Sequence, residues 1–193
     1  TSGQKIYGIV QGGRFEDLRK ESAKFIGSLG FDGLAIGGSF GTSFGSPRLK
    51  TFQELDWSVP ILPENKPRHL LGIGLVGDLF MGVEKGIDTF DCVVPTREGR
   101  HGSVYTAKGR IDIKKGIYRE DKSVIDERCG CEVCAVKKIS KQELGEMFRS
   151  KNPEAGRLVS FHNVYFFNNL MGEIRQAIAE DKFEELKRQY VSL

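Results

Sequence analysis

The sequence lacks any apolar run long enough to cross a lipid bilayer, and its first residues show no signal-peptide pattern. These two absences predict a cytoplasmic protein with no membrane partner, in a compartment that keeps thiols reduced. Cysteine is also scarce, since the 193 residues contain four. Three of the four fall within six positions, in the segment CGCEVC from Cys129 to Cys134. In a reducing compartment such a cluster favours a metal site over disulfides.

The cysteine cluster needs a fourth ligand if it is to surround one tetrahedral Zn²⁺. Four residues are available for that position: Cys92, His69, His101 and His162. His162 is preferred because it precedes a long amphipathic stretch and would project from the first turn of a helix. The sequence therefore predicts a site made of Cys129, Cys131, Cys134 and His162. A closed four-ligand site leaves no open position for chemistry, so the predicted zinc is structural.

Charge is nearly balanced, with a net charge of +3, but its placement is uneven. The segment from Arg97 to Arg119 contains only two acidic residues, Glu98 and Asp112. Two interpretations stay open for this segment, a solvated loop face or a patch that contacts phosphates. Its basic residues are Arg97, Arg100, Lys108, Arg110, Lys114, Lys115 and Arg119.

Residues 5 to 95 alternate apolar, β-rich runs with helical patterns. Strands are predicted in KIYGIVQ (5–11), DGLAIGG (32–38), RHLLGIG (68–74) and DTFDCVVP (88–95). Strands that alternate with helices indicate βα units and a parallel sheet. Each predicted strand contains or ends in glycines or an aspartate, and ligands of parallel α/β folds bind where the strands end.

Two α/β architectures fit these units. GIGLVG (72–77) is a literal G-x-G-x-x-G between a predicted strand and helix, with Asp91 19 residues beyond Gly72. This pattern favours a doubly wound dinucleotide fold and a nicotinamide-dependent oxidoreductase, although a second mononucleotide-binding half is missing. A (β/α)8 barrel takes about 250 residues, so four βα units would be half a barrel. Composition does not decide between the two.

Several motifs together resemble the tRNA-guanine transglycosylases, in the same order and at the same spacing. They are GIVQGG (8–13), DGLAIGG (32–38), FDCVVPTREGRHG (90–102), CGCEVC and the pair His162-Asn163. The resemblance covers nearly the whole chain but only the C-terminal half of a full-length member. It implies the second half of a TIM barrel with an inserted or C-terminal zinc-binding subdomain. The implied divisions are 1–100 for the half-barrel, 101–162 for the zinc subdomain and 163–193 for a C-terminal helical segment.

The same resemblance implies a pentosyltransferase that exchanges guanine at the tRNA wobble position for a 7-deazaguanine, in queuosine-type modification. Its covalent intermediate would join ribose to Asp91. Gln11, Gly38 and Leu71 would bind the base, and Arg97 and Arg100 would contact the RNA. The implied partners are the tRNA anticodon loop, the deazaguanine base and the N-terminal half of the enzyme. Family members are commonly dimers, so a homodimer is also implied.

The sequence departs from the family pattern in two ways that bear on activity. The family's other carboxylate lies in the absent N-terminal half, so this chain alone is expected to be inactive. The run GGSFGTSFG (37–45) lacks an acidic residue that helps recognise preQ1, which leaves preQ1, preQ0 and queuine open as the incoming base. A non-catalytic, zinc-stabilised RNA-binding subunit, or the split-gene partner of such an enzyme, is the alternative function.

Overall fold

A computed structural model describes residues 3–38 and 48–191, with backbone alone for residues 48–51. The chain divides into two compact units, which are residues 1–92 and 93–193. The predicted three-part division remains a prediction, but its second boundary, after residue 162, falls inside one continuous helix. No helix in the described ranges is both long and apolar enough to cross a membrane.

The first unit, residues 1–92, is built on a four-stranded parallel sheet. Its strands pair in chain order, with Tyr7 opposite Gly33, Leu34 opposite Arg68, and His69 opposite Thr89. A dinucleotide fold of the doubly wound class would instead place its first strand inside the sheet. The elements are β1 (Tyr7–Val10), α1 (Glu16–Ser28), β2 (Gly33–Ile36), α2 (Arg48–Ser58), a 3-10 turn (Val59–Ile61), β3 (Arg68–Leu70), α3 (Val76–Glu84) and β4 (Thr89–Phe90).

The core of this unit lies on the helix-facing side of the sheet. Val10, Leu34, Ile36 and Leu70 are fully buried there and pack with apolar residues of the helices. On β1 the alternation is strict, because Gly8 and Val10 are buried while Tyr7 and Ile9 are exposed. A strand with one covered and one open face has this period-2 pattern.

Helix α1 differs from its sequence-based prediction. The sequence places Phe15, Leu18, Ser22, Phe25, Ile26 and Leu29 on one helical face. Phe15 is nevertheless 64% exposed and Phe25 63% exposed, while Ile26 packs against the core. The residues of α1 that are buried are Arg19 and Ala23. The helix packs through these two residues and the partly buried Ile26, which leaves an apolar surface of α1 uncovered within the described residues.

The fourth predicted strand is also shorter than expected. Only Thr89–Phe90 pairs with β3, and the chain turns into a short helix at Val94. Proline fits the first turn of a helix, so Pro95 is compatible with a helix start but not with a central strand.

The second unit, residues 93–193, combines a β-hairpin with helices. Strands β5 and β6 are antiparallel and meet at a tight turn that ends at Gly109. The elements are α4 (Val94–Gly99), β5 (Ser103–Thr106), β6 (Gly109–Asp112), a 3-10 turn (Gly116–Tyr118), a π-helical turn (Glu132–Val136), α5 (Lys141–Arg149), α6 (Pro153–Ala179) and α7 (Phe183–Val191).

Helix starts in this unit carry strong local signals. Ser140 and Glu143 form a reciprocal capping box at α5. At α6, the Asn152 side chain accepts a hydrogen bond from the Glu154 amide at 3.0 Å, and Pro153 occupies the first helical position. These caps fix where α6 begins, and therefore which of its residues face the hairpin.

Asn163 connects three elements of the second unit and is fully buried. Its side-chain oxygen accepts from the Tyr105 amide at 3.0 Å. Its side-chain nitrogen donates to the carbonyls of Pro95 at 3.0 Å and Ser103 at 2.9 Å. One amide thus satisfies backbone groups of α4 and β5 from within α6.

Asn163→Ala is expected to destabilise the protein by about 3 kcal/mol, because it removes the partner of one buried donor and of two partly buried acceptors. Urea unfolding, followed by far-UV circular dichroism, measures the change. Asn168→Ala is the matched control, since Asn168 is exposed on the same helix and its side-chain nitrogen donates to the Val164 carbonyl one turn back. Equal stability of the two variants would contradict the role given to Asn163.

Candidate active site and metal centre

Four residues singled out in the sequence lie just beyond the carboxyl ends of the four parallel strands. Gln11 follows β1, Gly38 follows β2, Leu71 follows β3 and Asp91 follows β4. Because neighbouring parallel strands end at one edge of a sheet, the four positions share that edge. Backbone pairing continues up to this edge, since the Leu71 amide donates to the Ile36 carbonyl at 3.1 Å.

Asp91 is held by two donors and stays accessible. Its Oδ1 accepts from the Gly72 amide at 3.1 Å and lies 3.2 Å from His69 Nε2. Its side chain is 59% exposed. Both contacts go to the same oxygen, so Gly72 and His69 leave Oδ2 for a ligand. An oriented carboxylate of this kind is suited to act as a nucleophile.

His69 was missed as a site residue in the sequence. The carboxylate of Asp91 can only accept, so Nε2 of His69 donates to it. Nδ1 lies 2.8 Å from Thr89 Oγ1 and then accepts from that hydroxyl when the ring is neutral. The strand register would have placed His69 near Asp91. His69 is opposite Thr89, and Asp91, two residues after Thr89, lies on the same face of the sheet.

Gln11 lies over the backbone of the neighbouring strand. A methyl group built on Gly37 would stand 2.5 Å from Gln11 Nε2, so a larger residue at position 37 would displace the Gln11 side chain from this place. The backbone amide of Gln11 donates to Ser22 Oγ at 3.0 Å, which ties the end of β1 to α1. A glutamine amide beside bare backbone offers donors and acceptors to the edge of a purine.

A buried ion pair supports this strand edge from beneath. Arg19 is fully buried, and its guanidinium donates to the carbonyls of Gly13 and Gly37 and to the carboxylate of Glu54. Burial lowers the pKa of Arg19, while the Glu54 charge opposes that effect. The guanidinium therefore ties the turn after β1 and the end of β2 to α2.

Arg19→Met is expected to destabilise the protein by about 3 to 5 kcal/mol, because the buried carboxylate of Glu54 loses the opposite charge of Arg19. Thermal and urea unfolding measure this change. Lys20→Met is the matched control, since Lys20 forms an exposed pair with Glu16 one turn away and should change stability by less than about 1 kcal/mol. Arg19→Met combined with Glu54→Leu should recover much of the loss, and failure of both expectations would contradict the assigned role.

The second unit brings together the four predicted metal ligands. The donor atoms of Cys129, Cys131, Cys134 and His162 all lie within 4.8 Å of one another. His162 Nδ1 is 3.7, 3.4 and 3.5 Å from the three sulfurs in chain order. A tetrahedral zinc with ordinary Zn–S and Zn–N bonds requires sulfur–nitrogen edges of about 3.6 Å. The residues therefore fit a tetrahedral metal ion.

The orientation of His162 also fits a metal ligand. Its Nε2 lies 2.9 Å from the Tyr105 carbonyl and donates to it, which leaves Nδ1 as the lone-pair donor toward the sulfurs. His162 is the tenth residue of α6 rather than part of its first turn, so the predicted helical position was wrong while the residue fits the cluster. Cys92, His69 and His101, weighed as fourth ligands, are not part of the cluster.

The cluster is electrostatically prepared for a cation. Hydrogen bonding from Cys134, together with His162, lowers the pKa of Cys131 to about 3 against the effect of burial. Burial tends to lower the pKa of His162, but the bonds to Cys129 and Cys131 outweigh it and raise this pKa to about 9. Without metal, a proton on the imidazole balances a thiolate. A divalent cation would replace that proton, since metal ligands must be deprotonated.

The two arginines predicted to contact RNA lie on and just after α4. Arg97 is in its last turn, and Arg100 follows it as an exposed residue. Arg110 Nη1 forms an ion pair with Glu98 Oε2 at 2.9 Å, so one cation of the basic segment already has an acidic partner. The segment is therefore partly paired and partly open. Residues 39–45, where the sequence lacks an acid, fall outside the described residues.

A family model described as queuine tRNA-ribosyltransferase matches residues 1–192 of the chain. Curated proteins named queuine tRNA-ribosyltransferase are similar over almost all of it. The protein from Thermoanaerobacter sp. (strain X514) is 43% identical over 190 residues, which cover 98% of this chain and 49% of that protein. The protein from Caldanaerobacter subterraneus subsp. tengcongensis is 41% identical over 191 residues, covering 99% and 50%.

A third relative with the same name, from Halothermothrix orenii, is 42% identical over 188 residues, which cover 97% of this chain and 49% of that protein. The chain thus spans about half the length of the curated relatives it matches. The matched part of those proteins is their C-terminal half.

Proposed function

Because this chain belongs to the queuine tRNA-ribosyltransferase family, we propose that it supplies the nucleophile and the zinc subdomain of a tRNA-guanine transglycosylase. The observation that carries the proposal is Asp91, held by Gly72 and His69 at the edge where the parallel strands end. The substrate is guanine at the tRNA wobble position, and the incoming base is a 7-deazaguanine. The site works when joined to the N-terminal half of the enzyme.

The chemistry follows from an accessible carboxylate. Asp91 attacks C1′ of the ribose, the bond from C1′ to the guanine nitrogen breaks, and its electron pair leaves with guanine. The resulting ribosyl ester is then attacked at C1′ by the ring nitrogen of the deazaguanine, which returns the carboxylate. Two inversions give net retention, as in retaining glycosidases. The departing base gains one proton and the entering base loses one, through a group in the N-terminal half.

Base recognition is assigned to the other strand ends. Gln11, Gly38 and Leu71 flank the same edge and offer an amide, bare backbone and an apolar side chain to the heterocycle. Water would hydrolyse the ribosyl ester, so the incoming base must occupy the place that guanine leaves. A flipped loop base, unstacked from the anticodon, can reach such a pocket.

The half-barrel is supported by the uncovered surfaces of the first unit. Within the described residues β1 is an edge strand, paired on one side only. Tyr7 and Ile9 on its open face are exposed, as are Phe15 and Phe25 on and beside α1. Long edges and apolar faces of this kind are rare in a finished domain. The sheet continues, in this proposal, with strands of the N-terminal half.

The metal centre is assigned as structural zinc, held by Cys129, Cys131, Cys134 and His162. All four positions of a tetrahedral ion are filled by protein, so the ion supplies folding energy and no catalytic water. The remaining assignments come from the family resemblance and the sequence: a cytoplasmic protein that contacts the anticodon loop through Arg97 and Arg100, and a homodimer in the completed enzyme.

The test measures incorporation of radiolabelled guanine into unmodified tRNA that bears a wobble guanine. It compares the chain alone, a supplied N-terminal half alone, and both together. Incorporation in the combined sample only is expected. If tRNA binds but no sample incorporates label, the alternative function, a non-catalytic RNA-binding subunit, replaces the proposal.

His69→Phe is expected to lower kcat in the completed enzyme by about tenfold with little change in KM for guanine, because Asp91 loses a donor that orients its carboxylate. Thr89→Ser is the matched control, since it keeps the hydroxyl that bonds to His69 Nδ1. Steady-state exchange kinetics give both constants. An unchanged kcat in His69→Phe would show that Gly72 alone orients the nucleophile.

A further inference from the structure

A groove of about 600 Å³ lies within the second unit, between α4, the end of α5 and the first turns of α6. It shares no lining residue with the metal cluster or with the strand edge that carries Asp91. None of the residues that line it is acidic, and three are cationic. Its main side chains are those of Thr96, Arg100, Phe148, Lys151, Arg157 and Ser160.

The backbone that carries these cations is fixed by close packing. A methyl group built on Gly99 would stand 2.8 Å from the backbone of Ser160, so α4 and α6 touch without a side chain between them. Ser160 Oγ donates to the Thr96 carbonyl at 3.2 Å across the same contact. Lys151 has a φ of 58°, and its amide donates to the Phe148 carbonyl at 3.1 Å. The loop between α5 and α6 therefore presents Lys151 from a defined turn.

The cations are available to a ligand. Arg100 and Lys151 have no carboxylate within ion-pair distance among the described residues. Arg157 contacts Glu154 at 2.6 Å, but this pair lies on the surface with the arginine 61% exposed. Exposed pairs of this kind contribute little to stability, so breaking this one to bind another anion costs little. Two cations without an ion pair in the described part of the chain and one in a weak surface pair, around a groove with no acid in its lining, favour a polyanion.

We propose that this groove binds the phosphodiester backbone of the RNA substrate, as a contact site beyond the Arg97 and Arg100 segment. The inference rests on the proposed function, under which the polyanion that the protein meets is its RNA substrate. The groove volume is that of sites for drug-sized ligands, so it holds more than one inorganic phosphate. Phe148 forms part of the wall and offers an apolar surface to a sugar or base. Arg100 belongs to both surfaces and makes them continuous.

The test uses the whole 193-residue chain and a labelled anticodon stem-loop RNA, with binding followed by fluorescence anisotropy over a series of salt concentrations. Lys151→Asn and Arg157→Gln remove one charge each from the groove, and asparagine tolerates the left-handed backbone at residue 151. Each variant should lower the slope of log K against log salt by about one, and weaken binding by roughly threefold at moderate salt.

Lys182→Asn is the matched control. It removes the same charge from an exposed residue just beyond the far end of α6, which at 27 residues is about 40 Å long. The control should keep the wild-type slope and affinity. Unchanged melting temperatures of all three variants exclude a folding effect.

Each of four outcomes would overturn the inference, and the first three are groove variants with the wild-type slope, equal loss in Lys182→Asn, and a wild-type chain that binds no RNA. Inhibition of RNA binding by millimolar inorganic phosphate with no change in the slopes would mean a free-phosphate site and would also overturn it. The slopes do not depend on exchange chemistry. If the completed enzyme exchanges guanine and the groove variants bind RNA normally, the proposed function stands and the groove proposal fails. If the groove variants bind RNA weakly but the completed enzyme never exchanges guanine, the groove proposal stands and the proposed function fails.

Discussion

Asp91→Asn in the completed enzyme is expected to reduce guanine exchange by about 10³-fold or more, because a neutral amide cannot form the ribosyl ester. The substitution keeps size and shape. It should leave stability intact, since Asp91 is 59% exposed and the amide oxygen of the new side chain can still accept from Gly72. Loss of exchange would therefore report the missing nucleophile rather than a damaged fold. The measurement is the initial rate of labelled guanine incorporation into tRNA.

The matched control is Asp88→Asn, which changes the residue just before β4, three positions before Asp91. Asp88 accepts from the Arg68 amide at 2.7 Å and belongs to the opposite end of β4 from Asp91. This variant should retain most of the exchange activity. A rate in Asp91→Asn close to that of Asp88→Asn would remove Asp91 as nucleophile. A denaturing gel should also show a covalent RNA adduct with the parent enzyme but none with Asp91→Asn.

The order of strands and helices in the first unit could be predicted, because each element there carries its own local signal. The runs around Val10, Ile36 and Leu70 are apolar, and all three form strands in which these three residues are fully buried. Gln11 comes directly after Val10, and Gly37 and Gly38 follow Ile36, which placed Gln11 and Gly38 at strand ends. Local pattern and sheet topology agree at this edge, so the motif residues fall where the pattern put them.

Helix α1 shows where periodicity fails. Its apolar residues fall on one helical face, and such a face usually meets the core. Arg19 took the central buried position instead, since its guanidinium finds two carbonyls and Glu54 there. Hydrophobic periodicity carries no information about a buried ion pair, and it also cannot tell a face that meets this sheet from one that meets another part of the enzyme.

His69 was missed for a different reason. A histidine in a three-residue strand has no distinctive spacing, and its importance arises from pairing across strands with Thr89. Which strands pair, and in which register, is a property of the folded chain that cannot be read from a single sequence. The cysteine cluster was the opposite case, because thiolates spaced for one metal ion announce a site without any knowledge of the fold. The fourth ligand was chosen from four candidates in the sequence, and the structure places the preferred one, His162, against the sulfurs.

Metal removal is expected to have the largest effect on stability. Structural zinc contributes about 10 to 16 kcal/mol of apparent binding energy in small domains, comparable to or above the whole stability of a typical protein. The buried core of the second unit includes Cys131 and Cys134 with Val133 between them, packed with residues of α5 and α6. Cys131→Ser, or exhaustive chelation, should therefore unfold the region around Cys129 to Val136 and the hairpin that contacts His162.

Amide hydrogen exchange and bound-zinc content measure this result together. The parent chain should carry one zinc, with slow exchange at Tyr105 and along α6, while Cys131→Ser carries none and exchanges rapidly there. Cys92→Ser is the matched control, since Cys92 lies outside the cluster and should keep zinc and protection. Because thiols and imidazole must lose protons to bind, zinc affinity should fall as the pH is lowered. A chelated chain that keeps its protection would mean that apolar packing alone holds this unit, and the ion would then have only a minor structural role.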